Sequence, residues 1–155
     1  MVHFNDIVAP DALATSLSAN GKKQLFQKIA SIAAQAYGLQ ADMVGDALAE
    51  REKLGSTGFG GGVAIPHAKI PGLDRMCGVV VLLDPPVPFD AVDEAPVDIV
   101  FALLSPVDSG AEHLKTLARV SRYLRDEAQV VRLRGAKSAE ALHALLSGGG
   151  TRDAA

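Results

Sequence analysis

Apolar positions recur at helical spacing from Ser18 to Gly38, where Leu25, Ile29, Ile32, Ala33 and Ala36 share one side and Gly38 stops the run. A second helix is predicted over DMVGDALAEREKLG, with Asp42 as N-cap, Val44, Ala47 and Leu48 along it and Gly55 at its end. That helix delivers Arg51 to the start of the next loop. The loop, GSTGFGGG from Gly55 to Gly62, leads into the short apolar run VAIPH, which Pro66 stops, so His67 is expected at the end of a strand. Two continuous apolar runs, Gly78 to Leu83 and Asp98 to Leu104, have the length and β-branched content of buried strands, and each is followed by a proline-containing turn. They are expected at the centre of a sheet.

Ser109 and Glu112 have the spacing of a capping box, which predicts a helix with Leu114, Leu117, Ala118, Ser121 and Leu124 on one face and His113 in its first turn. Further helical signal runs through QVVRLRGA. It resumes from Ser138, with Glu140 and Ala141 in the first turn, through Leu142, Leu145 and Leu146. The closing GGGTRDAA reads as a frayed tail, giving one domain over 1–147 and a tail over 148–155. Helices and strands alternate, which predicts an α/β (α+β) fold, a sheet with helices on both sides.

Composition narrows the function classes. The 155 residues suffice for one domain with a core, and 48% hydrophobic against 21% charged residues is a globular balance. A formal net charge of -3 gives no broad cationic footprint for nucleic acid. The single cysteine, Cys77, cannot form an internal disulfide, and its neighbours Met76, Gly78 and Val79 suggest a buried strand edge. No stretch approaches the roughly 20 apolar residues that span a bilayer. The start MVHFNDIVAP has neither a basic leader nor an apolar signal core, so a cytoplasmic location and no membrane insertion are expected.

All residues of GSTGFGGG except Phe59 are Gly, Ser or Thr, a backbone able to turn N–H groups toward an anion. The loop fails the P-loop pattern, because Gly61 stands where Lys is required. It fails the dinucleotide fingerprint, with Val63 in place of the third small residue, and the serine-hydrolase elbow, with Leu54 in place of the first glycine. A plain helix-to-strand connection is the alternative reading. The proline and histidine that follow favour a functional one, with an imidazole and loop amides on one surface.

Of the four histidines, His3 lies near a terminus and His143 inside a terminal amphipathic helix, where solvated or packed roles suffice. His67 suits nucleophilic chemistry, since a neutral imidazole offers a lone pair without any added base. A carbonyl accepting from one ring nitrogen would leave the other free for in-line attack on phosphorus. Phosphoryl transfer then needs cations or N–H donors around the arriving oxygens, and Arg51, Thr57, the loop amides and His113 are candidates. His113 near a helix N-terminus is disfavoured as imidazolium and placed to donate to an anion. Zinc is the other use of two histidines, but no third ligand lies at metal spacing. Neither a metal nor a cofactor is expected.

The segment REKLGSTGFGGGVAIPHAK, residues 51 to 69, resembles the enzyme IIA domains of the mannitol/fructose type of bacterial phosphotransferase system. A second stretch, PFDAVDEAPVDIVFALLSPVDSGAEHLKTLARVSRYLRD, residues 88 to 126, resembles the same family, and the resemblance runs from about Ile7 to Leu146. It implies that His67 accepts a phosphoryl group, as a tele-phosphohistidine, although the residues themselves leave the choice of ring nitrogen open. It further implies His113 as stabiliser of the phosphoryl group, Arg51 and Thr57 as site residues, and a three-layer sandwich with a mixed sheet of four to five strands. The words REKLGSTG, FDAVD, PVDIVFALL and HLKTLA are most similar to nitrogen-regulatory members. The implied partners are an HPr/NPr-type phosphocarrier protein and regulated proteins such as sensor kinases or potassium transport components. Two other readings remain: a fructose- or mannitol-specific component serving a permease, and a regulatory binding module without chemistry.

Overall fold

The computed structural model describes residues 3–148. All of the expected tail except Gly148 lies outside the described residues. The elements run β1 (Leu13–Leu17), α1 (Lys22–Tyr37), α2 (Ala41–Lys53), β2 (Gly58–Gly60), β3 (Val63–Ala64), β4 (His67–Ile70), β5 (Cys77–Val87), β6 (Val97–Pro106), α3 (Ala111–Leu124), α4 (Glu127–Arg134) and α5 (Ala139–Leu146).

The two long apolar runs are β5 and β6, an antiparallel pair at the middle of a six-stranded sheet ordered β1-β5-β6-β3-β2, with β4 also paired to β6. Parallel pairings of β1 to β5, and of β3 and β4 to β6, make the sheet mixed. Residues 97 and 99 to 104 of β6 are completely buried, as expected of a strand covered on both sides. Helices α1 and α2 pack on each other and against β5 and β4 respectively, whereas α3 packs against β6 and α5 against β1, with α4 joining them. Phe4 wedges between the layers, its ring 5.3 Å from Phe101 and 5.1 Å from Tyr123, both edge to face. Gly78 permits this approach: a Cβ there would stand 2.9 Å from both Phe101 Cε1 and Val8 Cγ2. Tyr37 ties the segment before β1 to β5, its hydroxyl accepting from Ala9 N and lying 2.6 Å from the Gly78 carbonyl.

Several boundaries differ from the sequence expectation. The first helix begins at Lys22 rather than Ser18, after Gly21 in an extended conformation, and ends at Gly38 with φ 69° as foreseen. The N-cap of α2 is Gln40, with Asp42 inside the first turn, and α2 ends at Lys53 ahead of Gly55. Pro85 and Pro86 do not end β5; pairing with β6 becomes irregular after Leu82 and resumes at Val87. The sheet gains β1, whose five residues contain one buried position and so carry no period-two signal.

The capping box of α3 does not form. Gly110 occupies the N-cap, and the Ser109 hydroxyl donates to the Pro106 carbonyl instead. The buried face is His113, Thr116, Val120, Tyr123 and Leu124, while Leu114 is 65% exposed. The more apolar stripe lost because α3 is rotated to meet Phe4 and the end of β6, where polar contacts satisfy His113.

Candidate functional site

His67 opens β4 rather than closing the strand before it. Pro66 interrupts two short strands that both lie on β6, with Val63 opposite Ile99 and His67 opposite Leu103. The Pro66 carbonyl still accepts from Leu103 N at 2.9 Å, so the register on β6 carries through the break. The His67 ring turns back on its own chain, Nδ1 lying 2.8 Å from the Ile65 carbonyl. A carbonyl only accepts, so Nδ1 carries the proton and Nε2 keeps its lone pair.

His113, in the first turn of α3, brings its ring centroid to 5.5 Å from that of His67, at an interplanar angle of 50°. Its Nδ1 lies 2.6 Å from Ser105 Oγ near the end of β6. Burial holds His67 below the ordinary imidazole range, with the Arg51 charge acting the same way, while the Ile65 carbonyl and Glu52 oppose both. Burial likewise lowers His113, helped by the neighbouring His67 and Lys69. Both rings are therefore neutral at neutral pH.

The two imidazoles face a depression of about 570 Å³ that Arg51 and Lys69 also line, with Glu50 and Leu54 on its rim. Arg51, from the last turn of α2, donates to the Gly55 carbonyl at 3.1 Å. Two cations and two neutral imidazoles beside one concave surface suit an arriving dianion.

Thr57 is not part of this lining. Its hydroxyl donates to Glu52 Oε1 at 2.7 Å and its N–H to Glu52 Oε2 at 2.9 Å. The same carboxylate, on a side chain only 6% exposed, pairs with Lys22 Nζ at 2.9 Å, and Lys22 continues to Asp90 at 3.5 Å. Thr57 also accepts from Ile65 N through its carbonyl, which joins this network to the turn holding His67. The glycine-rich loop is a hairpin turn between β2 and β3, with φ of 105°, 68° and 80° at Gly60, Gly61 and Gly62. Gly61 N donates to Asp93, and the Arg134 guanidinium binds both the Gly61 carbonyl and Asp98. This places Gly60 to Gly62 at the Ile99 end of β6, about 13 Å from the His67 register at ~3.3 Å per strand residue, and no glycine of the loop lines the depression. The amides of Gly55, Thr57, Gly58 and Gly61, expected around His67, are thus engaged elsewhere.

Sequence reasoning passed over Glu52, Ser105 and Lys69. Lys69, two residues beyond His67 in a strand, carries a readable signal, since alternation puts both on one face. Ser105 shows its signal only as a polar residue at the end of a buried run, and Glu52 only as a carboxylate four residues beyond Leu48 on the buried face of α2. Among the described residues no group of three or more His, Cys, Asp or Glu could hold a metal ion, and no helix is long and apolar enough to cross a membrane.

Residues 6–148 match the family model described as "Phosphoenolpyruvate-dependent sugar phosphotransferase system, EIIA 2". A nitrogen regulatory protein of Bradyrhizobium diazoefficiens is 45% identical over 144 residues, covering 93% of this chain and 94% of the relative. The crystal structure of the nitrogen regulatory protein IIA-Ntr from Neisseria meningitidis superposes with a TM-score of 0.85 at 33% identity, covering 92% of this chain and 97% of the other. Mannitol IIA from Escherichia coli shares the fold, with a TM-score of 0.72 at 18% identity over 88% of this chain and 96% of the other.

Proposed function

The chain belongs to the EIIA 2 family of the phosphoenolpyruvate-dependent sugar phosphotransferase system, and from that premise we propose that His67 Nε2 is its phosphoryl acceptor. The observation that carries this reading is the Nδ1–H bond to the Ile65 carbonyl, which leaves Nε2 as the free lone pair beside Arg51, Lys69 and His113. In the transfer, the Nε2–phosphorus bond forms as the bond between phosphorus and the donor's histidine nitrogen breaks, and the donor ring leaves with that electron pair. No proton must be removed from His67 first, because its neutral form is already favoured. Arg51 and His113 offset the charge on the equatorial oxygens. Thr57 acts on the site through Glu52, which fixes the turn that Arg51 rests on.

The donor in this reading is an HPr/NPr-type carrier whose phosphohistidine fits into the depression. Leu54, 84% exposed on the rim, supplies apolar contact for such a partner. Similarity to nitrogen regulatory proteins at 37% to 45% identity favours a regulatory over a sugar-transporting role, which we place in the cytoplasm. The charge of nearly two units added at His67 alters binding to targets such as sensor kinases or potassium transport components.

The test is transfer of labelled phosphate from phosphoenolpyruvate through enzyme I and an HPr-type carrier. The protein should acquire an acid-labile label, and His67→Ala should lose it. Absence of label with every cognate donor would refute phosphoryl transfer and leave a binding module.

A further inference from the structure

Ser105 follows the apolar stretch Ile99 to Leu104 of β6, is fully buried, and its hydroxyl has one hydrogen-bond partner among the described residues, His113 Nδ1 at 2.6 Å. The direction of that bond follows from satisfaction of donors. If Nδ1 carried the proton and donated to Ser105, the proton of this fully buried hydroxyl would have no acceptor among the described residues, which is costly. If Ser105 donates, its proton and the Nδ1 lone pair are both satisfied, and the imidazole proton resides on Nε2. A hydroxyl in this place also disfavours imidazolium, whose second N–H would force the same orphaned proton.

We propose that Ser105 is a positioning residue whose hydroxyl holds His113 as the Nε2–H tautomer, so that a donor rather than a lone pair faces the phosphoryl group on His67. The two histidines then have opposite tautomers fixed by opposite partners. The Ile65 carbonyl accepts from His67 Nδ1 and frees a lone pair for attack, while the Ser105 hydroxyl donates to His113 Nδ1 and frees a proton for stabilisation. The wrong tautomer at His113 would turn a stabilising contact into lone-pair repulsion against phosphoryl oxygen. This assignment rests on the reading of His67 as phosphoryl acceptor, but the tautomer itself is a property of the unphosphorylated protein.

The experiment is long-range ¹H–¹⁵N correlation of the histidine side chains in the wild type, Ser105→Ala and Ser105→Thr, paired with phosphoryl transfer rates in the same proteins. In the wild type, His113 should show a protonated Nε2 and a bare Nδ1. Ser105→Ala, which loses one atom, should yield mixed tautomers at His113 with His67 unchanged, and transfer slowed about two- to tenfold, the loss expected of one hydrogen bond. Ser105→Thr keeps the hydroxyl and should restore both the spectrum and the rate. A wild-type His113 already protonated on Nδ1, or a tautomer unaltered in Ser105→Ala, would overturn the proposal. Failure of the wild type to accept phosphate would refute the carrier reading instead, and the spectra would still decide the role of Ser105.

Discussion

Removal of the Glu52 side chain tests whether the turn beneath Arg51 is held by a buried carboxylate. Glu52 accepts from Thr57 N and Thr57 Oγ1 and pairs with Lys22, and its side chain is 6% exposed. In Glu52→Ala, Lys22 recovers solvent because it is already 23% exposed, so its share is small. The two Thr57 donors are buried and lose their acceptor; at ~1.5 kcal/mol for each bond to a charged group, the loss is about 3 kcal/mol. For a chain of this length that corresponds to a fall in Tm of about 6–12 °C at ~2–4 °C per kcal/mol. The assay is urea unfolding followed by far-UV circular dichroism, with the m-value held as a check on two-state behaviour. Thr57→Val, which removes one of the two bonds, should cost about half as much, and the double variant should fall short of the sum because the two residues share the interaction. Glu50→Ala, two residues earlier in the same helix on a side chain 72% exposed, should change stability by less than ~0.5 kcal/mol. A loss below ~1 kcal/mol in Glu52→Ala at unchanged m would refute the argument, showing that Thr57 finds other acceptors at no cost.

Two further outcomes follow from the electrostatics and the backbone. Because burial lowers both His67 and His113 in the folded chain, the unfolded state binds protons first; stability is fully present above pH 6.5, the unfolded value, and declines as pH falls below it. The slope stays under ~1.4 kcal/mol per pH unit for each ring, reduced further by the solvent reaching the depression. Urea titrations from pH 8 to 5 should show this decline, and a His67→Gln, His113→Gln variant should flatten it; identical slopes in both proteins would sink the claim. Gly62→Ala should destabilise by about 1–3 kcal/mol, since φ is 80° there and the new methyl would meet the Arg134 guanidinium and Asp98. Its phosphoryl acceptance per folded molecule should match wild type, and a selective loss of transfer would mean that the glycine loop belongs to the site after all.

How much of this molecule could be read from its residues depended on the range of the forces involved. The buried runs of β5 and β6, the helical stripe of α1 with its stop at Gly38, and the start of a helix at Ser138 were all legible, because periodicity and helix-end signals act within a few residues. His67 stood out for a similar reason: its neighbours in sequence, Pro66 and the REK to IPH segment, already marked it. The partners that define its chemistry are separated along the chain and meet only in the fold. The Ile65 carbonyl fixes which nitrogen of His67 is free, and β6 brings Ser105 under His113, so both tautomers were decided by packing rather than by residue type. Thr57 and the glycines show the reverse case. Composition made them look like phosphate donors, yet the tertiary structure commits the threonine to Glu52 and the loop to Asp93 and Arg134. A polar group near a candidate site in sequence says nothing of where its hydrogen bonds go. That is settled when buried donors and acceptors must all find partners at once, a condition only the assembled sheet and its two helical layers impose.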